Sequence, residues 1–212
     1  METMIEFPQY SGVRCLMMPY VQGEPDSVPA AYAAYRDIIA SVFLRSGDRG
    51  FLTIDESPVV AGQPHRGARA KHGRALHTEA GIVRGVAGWG SPPVPGWGAP
   101  TPSPSWGGRH NVTLDRDVRI LIASNVGASC AVWDAEHEDT SEDGDIGHEA
   151  DRYPYSAATV LAAGEVREIG IFTPHESLPV ARDVRRQFLR IVGAGVHGRE
   201  KYFTINPLMG AA

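Results

Sequence analysis

The chain has 212 residues, of which 42% are hydrophobic and 21% are charged, enough for one globular domain with a real core. A formal net charge of −5 argues against a nucleic-acid or anionic-membrane partner, and no apolar run of about 18 residues predicts a membrane span. Two cysteines and an acidic N-terminus without an apolar run indicate a reducing cytoplasm and no signal peptide. The sequence therefore predicts a single cytoplasmic domain over 1–212.

The N-terminal quarter predicts a strand and a helix. The strand covers 12–18 and is expected to stop at Pro19, since proline cannot donate to a sheet. Asp26 or Ser27 can cap the following helix, with Pro29 in its first turn. Its apolar residues recur at three- and four-residue spacing: Val28, Ala31, Tyr32, Tyr35, Ile38, Ile39, Val42 and Phe43. This pattern is typical of an amphipathic helix packed along a sheet.

The rest of the chain is rich in strand patterns. They are predicted at 50–54, 74–79, 111–114, 118–124, 129–133, 158–161, 166–172 and 187–192, with a last short strand within 201–208. A loop at 58–73 and an acidic loop at 134–151 separate some of them. About eight strands with one flanking helix predict a mainly β fold, a jelly-roll barrel backed by the helix.

The segment 88–108 is the longest predicted loop. It holds six glycines, six prolines and three tryptophans, and such a composition forms neither a helix nor a regular strand. A long loop within a compact domain is usually functional or disordered. Because three tryptophans are costly to leave in water, we expect a partly ordered flap over the barrel mouth. A variable insertion is the alternative.

Two short motifs carry the chemistry. His77-Thr78-Glu79 ends a predicted strand, and His175 follows 98 residues later. At a strand end, residues i and i+2 lie on the same side, so His77 and Glu79 can face one ion together. Two imidazoles and one carboxylate on one face of an iron ion leave three coordination positions open. Glu176 or Ser177 could hold the His175 imidazole from behind.

A second His-x-acid candidate is His137-Glu138-Asp139. In a jelly-roll barrel whose ligands lie near the second and seventh strands, several strands must fit between the two motifs. Only 38 residues separate His137 from His175, and the first part of that interval is acidic loop. The interval from His77 has room for the strands, so His77 and Glu79 are preferred.

With the segment 175–180 and Arg185 ten residues past His175, these residues resemble the iron(II)/2-oxoglutarate-dependent dioxygenase superfamily, in its prolyl-hydroxylase-like branch. The resemblance implies a double-stranded β-helix of the cupin-like, jelly-roll type. It implies that His77, Glu79 and His175 bind Fe(II), and that a basic residue binds the C5 carboxylate of 2-oxoglutarate. The chain departs from the commonest pattern in having glutamate at the acid position and no Arg-x-Ser.

Three arginines compete for the co-substrate carboxylate: Arg185, Arg186 and Arg190. If Phe188 faces the barrel interior, Arg186 and Arg190 do so too; if Leu189 faces it, Arg185 does. We favour Arg186, because Arg185 is expected in the turn before the strand. A planar guanidinium suits a carboxylate, since it can donate two parallel hydrogen bonds.

The predicted activity is oxidation of an unactivated C–H bond in a small molecule, amino acid or peptide, with molecular oxygen and 2-oxoglutarate. Arg74, Asn111 and Trp133 are candidates for lining the substrate pocket. One alternative is a cupin-like metal enzyme without 2-oxoglutarate, which would need extra ligands such as His65, His72 or His110. The other is a non-catalytic jelly-roll binding module whose acidic loop binds a partner or calcium.

Overall fold

The computed structural model describes residues 3–65, 73–79, 113–114, 117–138, 144–197 and 203–209. These residues form a mainly β structure with two antiparallel sheets, a separate strand pair and one short α-helix, α1 (Arg36–Ser41). In chain order the strands are β1 (Thr3–Met4), β2 (Arg14–Val21), β3 (Arg49–Val59), β4 (Leu76–His77), β5 (Thr113–Leu114), β6 (Arg119–Ser124), β7 (Cys130–Trp133), β8 (Ala158–Val160), β9 (Glu165–Gly170), β10 (His175–Ser177), β11 (Val184–Val192) and β12 (Val196–His197).

The chain passes repeatedly between the two sheets. The larger sheet has the strand order β1-β9-β6-β11-β3-β2, and the smaller has the order β4-β10-β7-β8. From β3 onward the chain enters the smaller sheet at β4, returns at β6, crosses for β7 and β8, returns at β9, crosses at β10 and returns at β11. Strands distant in sequence thus become neighbours, and β4 lies beside β10.

The central strand β11 separates two hydrophobic clusters. It pairs with β3 over nine positions and with β6 over five, and its side chains alternate between the faces. Phe188 packs with Phe51 and with Val132 of the smaller sheet. Leu189 packs on the other face, with Ile39 of α1. The first cluster therefore fills the space between the sheets, and α1 covers the outer face of the larger sheet.

The predicted helix is wrong in its extent. Only Arg36–Ser41 is α-helical, preceded by 3-10 turns at Pro25–Ser27 and Ala30–Tyr35. The amide of Tyr32 donates to Pro29 at 2.9 Å, three residues back, while the Arg36 guanidinium donates to the carbonyl of Val28. That carbonyl is the one that an α-helix would have offered to Tyr32. Most of the apolar stripe is nevertheless buried (Val28, Tyr35, Ile38, Ile39 and Val42), whereas Tyr32 is half-buried, and Ala31 and Phe43 are exposed.

Several strand boundaries differ from the prediction. Pro19 lies inside β2, which is tolerated because β2 is an edge strand. β3 runs on to Val59, into the predicted loop at 58–73. β11 begins at Val184, so Arg185 lies in the strand and not in a turn before it. The prediction omits β1, β10 (which contains His175) and β12, and residues 203–209 form no strand.

The predicted flap at 88–108 lies outside the described residues. Among the residues that are described, no helix has the length and apolar character needed to cross a membrane.

Candidate metal centre

The pairing of β4 with β10 brings the two motif histidines together. His77 and His175 are directly opposite in the register, with ring centroids 4.1 Å apart. Glu79, two residues past His77, projects to the same side. One donor atom from each of the three side chains lies within 4.8 Å of the others. In the described part of the chain, this is the one such group of His, Cys, Asp or Glu.

Backbone carbonyls orient both imidazoles. Nδ1 of His77 lies 2.8 Å from the carbonyl oxygen of Ala75, and Nδ1 of His175 lies 2.9 Å from that of Thr173. Because a carbonyl oxygen only accepts, each Nδ1 carries a ring hydrogen, which leaves Nε2 as the nitrogen that can bind a metal. A hydrogen bond of this kind behind a metal-binding histidine fixes its tautomer and ring orientation. Both rings are thus oriented to bind a metal ion through Nε2.

Glu79 supplies a buried negative charge between a histidine and an arginine. Its Oε1 lies 3.6 Å from Nε2 of His175, and its Oε2 lies 3.0 Å from Nη2 of Arg190. Burial alone would raise the pKa of Glu79, but the charge of Arg190 and the contacts with His175 and His77 outweigh it and lower the pKa to about 2. The carboxyl is therefore ionised at neutral pH.

The donor set fits a divalent transition metal. Imidazole nitrogens and a carboxylate oxygen bind such ions at about 2.0–2.2 Å, which puts neighbouring ligands about 3 Å apart. The 3.6 Å between Glu79 Oε1 and His175 Nε2 is close to that separation. Two histidines and one carboxylate are the ligand set of non-haem Fe(II) oxygenases, and with a different geometry also of some zinc enzymes.

Arg186 is a buried cation on the same face of β11 as Phe188 and Arg190. Its residue exposure is 2%, and its guanidinium donates to Ser124 Oγ at 3.0 Å and to Ser177 Oγ at 3.4 Å. Within the described ranges no carboxylate lies at ion-pair distance from it. Burial lowers the pKa of Arg186 to about 10, so it stays charged at neutral pH. The negative charge of Asp55 offsets part of the cost of burying this cation, and an anionic ligand at the guanidinium would offset more of it.

The other two arginines lie in different surroundings. Arg185 is exposed, on the opposite face of β11, and its guanidinium lies 5.4 Å from the ring centroid of Tyr10. Arg190 is buried and binds Glu79. Of the two alternatives for β11, the structure has Phe188 facing the space between the sheets, together with Arg186 and Arg190.

A polar cluster on β3 was missed by the sequence analysis. Asp55 and Ser57 alternate on the interior face, directly opposite Phe188 and Arg186. Nε2 of His65 lies 2.5 Å from Ser57 Oγ and 3.5 Å from Asp55 Oδ2. In a catalytic Ser-His-Asp triad, serine and aspartate bind opposite nitrogens of the histidine ring. Here Nε2 of His65 faces both Ser57 and Asp55, so the three residues do not have that arrangement. The alternation of polar residues at 53, 55 and 57 was the available signal.

Arg74 and Trp133 lie on the other side of the smaller sheet from His175. Arg74 binds Glu176 Oε2 through Nε at 3.0 Å and Nη2 at 2.7 Å, and stacks 4.3 Å from the ring centroid of Tyr155. Trp133 donates to the carbonyl of Pro154 at 3.0 Å. Both side chains therefore stabilise the outer face of the smaller sheet. Glu176 therefore does not support the His175 imidazole.

The competing histidine motif lies elsewhere. Nδ1 of His137 is 2.6 Å from the hydroxyl of Tyr153, and His137 is not part of the three-residue group. His65 is also outside that group, because it faces Ser57. The remaining candidates (Asp139, Asn111, His72 and His110) lie outside the described residues.

No family model matches this chain, and no curated protein matches it in sequence. Among solved structures it is similar to EvdO2 from Micromonospora carbonacea var. aurantiaca, with 13% identity, coverage of 86% of this chain and 69% of that one, and a TM-score of 0.39. It is also similar to the same protein complexed with 2-oxoglutarate, with 12% identity, the same coverage and a TM-score of 0.37.

Proposed function

We propose that this protein is a single-domain, non-haem iron(II)- and 2-oxoglutarate-dependent oxygenase that oxidises a C–H bond of a small-molecule, amino-acid or peptide substrate. The observation that carries the proposal is the group His77, Glu79 and His175, with all donor atoms within 4.8 Å. Two histidines and one carboxylate with open positions are the arrangement that activates oxygen in this class of enzyme.

The position of Arg186 supports 2-oxoglutarate as the co-substrate. His175 and Ser177 are two residues apart on β10 and face the same side, so their Cα atoms lie about 7 Å apart. Arg186 approaches the Ser177 hydroxyl, while His175 belongs to the metal group. A five-carbon dicarboxylate bound along this strand would have one end at the metal and the other at the guanidinium. Ser124, which accepts from Arg186 Nε at 3.0 Å, keeps the guanidinium in place.

The order of the strands supports a jelly-roll arrangement. Eight strands (β3, β4, β6, β7, β8, β9, β10 and β11) divide equally between two facing sheets, and every connection except the one from β7 to β8 crosses between them. Jelly rolls are double sheets of eight strands. In this order β4 is the second strand and β10 the seventh, and they carry His77 and His175.

The residues of the chain have separable roles in this proposal. His77, Glu79 and His175 would hold iron(II), which supplies the oxygen chemistry when it is bound. The carbonyls behind the two rings keep Nε2 directed at the centre. Arg186 orients the co-substrate and neutralises its distal charge. Apolar neighbours such as Phe188 and Val132 limit the access of water to the space between the sheets.

A spectroscopic titration tests the proposal. The protein is purified without oxygen, loaded with Fe(II) and titrated with 2-oxoglutarate. We expect a weak visible charge-transfer band, as given by a chelating 2-oxo acid on iron, and succinate when oxygen and a substrate are supplied. Succinate formation across a substrate panel would then identify the substrate class.

The same titration separates the alternatives. A cupin-like metal enzyme without 2-oxoglutarate would bind the metal and show no band. A non-catalytic module would bind neither. Tight binding of zinc in preference to iron, without response to 2-oxoglutarate, would also contradict the proposal, since a His₂Glu set occurs in zinc hydrolases.

A further inference from the structure

The ion pair of Arg190 with Glu79 gives the two carboxylate oxygens different surroundings. Oε2 lies 3.0 Å from Nη2 of Arg190, and both side chains are almost fully buried. Oε1 faces Nε2 of His175 at 3.6 Å. One oxygen is thus directed at the metal-binding group and the other at the guanidinium.

This difference matters because a carboxylate can bind a metal through one oxygen or through both. An octahedral ion with two imidazoles has four remaining positions. A glutamate bound through both oxygens leaves two of them, and a glutamate bound through one leaves three. A chelating 2-oxo acid occupies two positions and oxygen needs another, so binding through one oxygen is required.

We propose that Arg190 is a positioning residue that retains Oε2 of Glu79, so that Glu79 coordinates the metal through Oε1 alone. The inference rests on the proposed function, which defines why three open positions are needed. Glutamate has one more rotatable bond than the commoner aspartate, and its carboxylate swings more freely. Arg190 restricts the rotation of the Glu79 carboxylate through a charge-assisted hydrogen bond.

The strand that carries Arg190 makes it a firm anchor. β11 lies between β3 and β6, and Arg190 is in register with Thr53 on one side and Ile122 on the other. Arg186, four residues earlier on the same face, points to Ser124 and Ser177 and remains available for the co-substrate. The two interior arginines therefore have different roles in this proposal: Arg190 holds a ligand of the metal, and Arg186 binds the co-substrate.

The test compares Arg190→Met, which releases Oε2, with Arg190→Lys, which keeps a cationic donor. Arg74→Met is the matched control, because it also breaks an arginine–glutamate pair but on the outer face of the smaller sheet. For each variant, Co(II) binding is measured by equilibrium dialysis. The 2-oxoglutarate affinity of the anaerobic Fe(II) protein is measured from the charge-transfer band.

We expect Arg190→Met to bind Co(II) but to bind 2-oxoglutarate at least about tenfold more weakly, the usual scale for residues behind a metal ligand. Arg190→Lys should recover most of that loss, and Arg74→Met should match the wild type. Wild-type chelation in Arg190→Met would overturn the inference. So would an equal loss in the Arg74→Met control, which would indicate a general effect of destabilisation.

A measurement on the wild type needs no variant and covers the case in which Arg190→Met does not fold. Infrared difference spectra of the protein with and without Co(II) report how the carboxylate binds, because one-oxygen and two-oxygen binding give different separations of the carboxylate stretches. The wide separation of one-oxygen binding supports the inference, and the narrow separation overturns it. If the wild type binds Co(II) but gives no band with 2-oxoglutarate, the proposed function fails, whereas the infrared result still decides the role of Arg190.

Discussion

Glu56 and Gln187 lie directly opposite each other on β3 and β11, and the Gln187 amide donates to Glu56 Oε1 at 2.9 Å. The same oxygen accepts from the hydroxyl of Tyr35 at 2.7 Å. Oε2 accepts from the backbone amides of Ser11 at 2.7 Å and Val13 at 3.2 Å, and from the amide between them. One buried carboxylate thus ties the N-terminal segment and the helical layer to the centre of the larger sheet.

We expect Glu56→Gln to lower the free energy of unfolding by about 2–4 kcal/mol, since an amide NH₂ would face backbone donors that need an acceptor. Urea unfolding followed by circular dichroism measures the change. Glu168→Gln, on the exposed part of β9, is the control and should change stability little. An unchanged midpoint in Glu56→Gln would show that the carboxylate does not hold the N-terminal segment.

The same residue makes stability depend on pH. Burial alone would raise the pKa of Glu56, but hydrogen bonds from Tyr35, Ser11, Gln187 and the amide of residue 12 outweigh it and hold the pKa below its ordinary value of 4.5. A lowered folded-state pKa gives stability that is present above the unfolded pKa of about 4.3 and is lost as the pH falls through the folded value. Glu56→Gln cannot titrate, so the stability difference from wild type should be largest above about pH 5 and shrink below pH 4. Unfolding curves from pH 3 to 7 measure it, and a difference that grew on acidification would contradict the assignment.

The strand pattern was predictable because alternation and apolar runs are local signals. The predicted strands over 118–124 and 129–133 agree with β6 and β7 to within one residue at each end. The helix was not predictable in its extent, because Arg36 reaches back to the Val28 carbonyl and replaces a helical bond there. A contact of this kind depends on side-chain packing that periodicity does not contain.

The candidate site was partly readable for a similar reason. Residue type and order selected His77, Glu79 and His175, and the structure brings the three together. Their partners were not readable, since the arginine pair of Glu79 comes from β11, 111 positions away. Pairing of β11 with β3, which aligns Arg186 with Ser57, is equally invisible in the order of residues.

Replacing His77, one of the proposed metal ligands, should separate metal binding from folding. His77 is only half-buried, so we expect His77→Ala to fold while its Co(II) affinity falls by more than about 100-fold. Metal added to the wild type should raise the melting temperature, since a ligand that binds only the folded state stabilises it by mass action. The variant should lose this increase. An equal increase in His77→Ala and wild type would place the metal elsewhere, and His137→Ala is the variant that then tests the competing motif.

Arg186 should show opposite effects on binding and on stability. Arg186→Met removes a donor that is charged and buried, so 2-oxoglutarate affinity should fall by about 10- to 100-fold, or about 1.5–3 kcal/mol.

In the protein without co-substrate, however, the described residues around Arg186 provide two serine hydroxyls and no carboxylate at ion-pair distance. Replacing such a charge by an apolar side chain of similar length is often neutral or stabilising. Arg186→Met should therefore melt at the same temperature as the wild type or higher, while Arg185→Met, on the exposed face, should change neither property. Calorimetry without ligand and titration with 2-oxoglutarate measure the two effects. A large loss of stability in Arg186→Met without ligand would mean that the guanidinium is a structural element of the core, and the case for a co-substrate site there would fail.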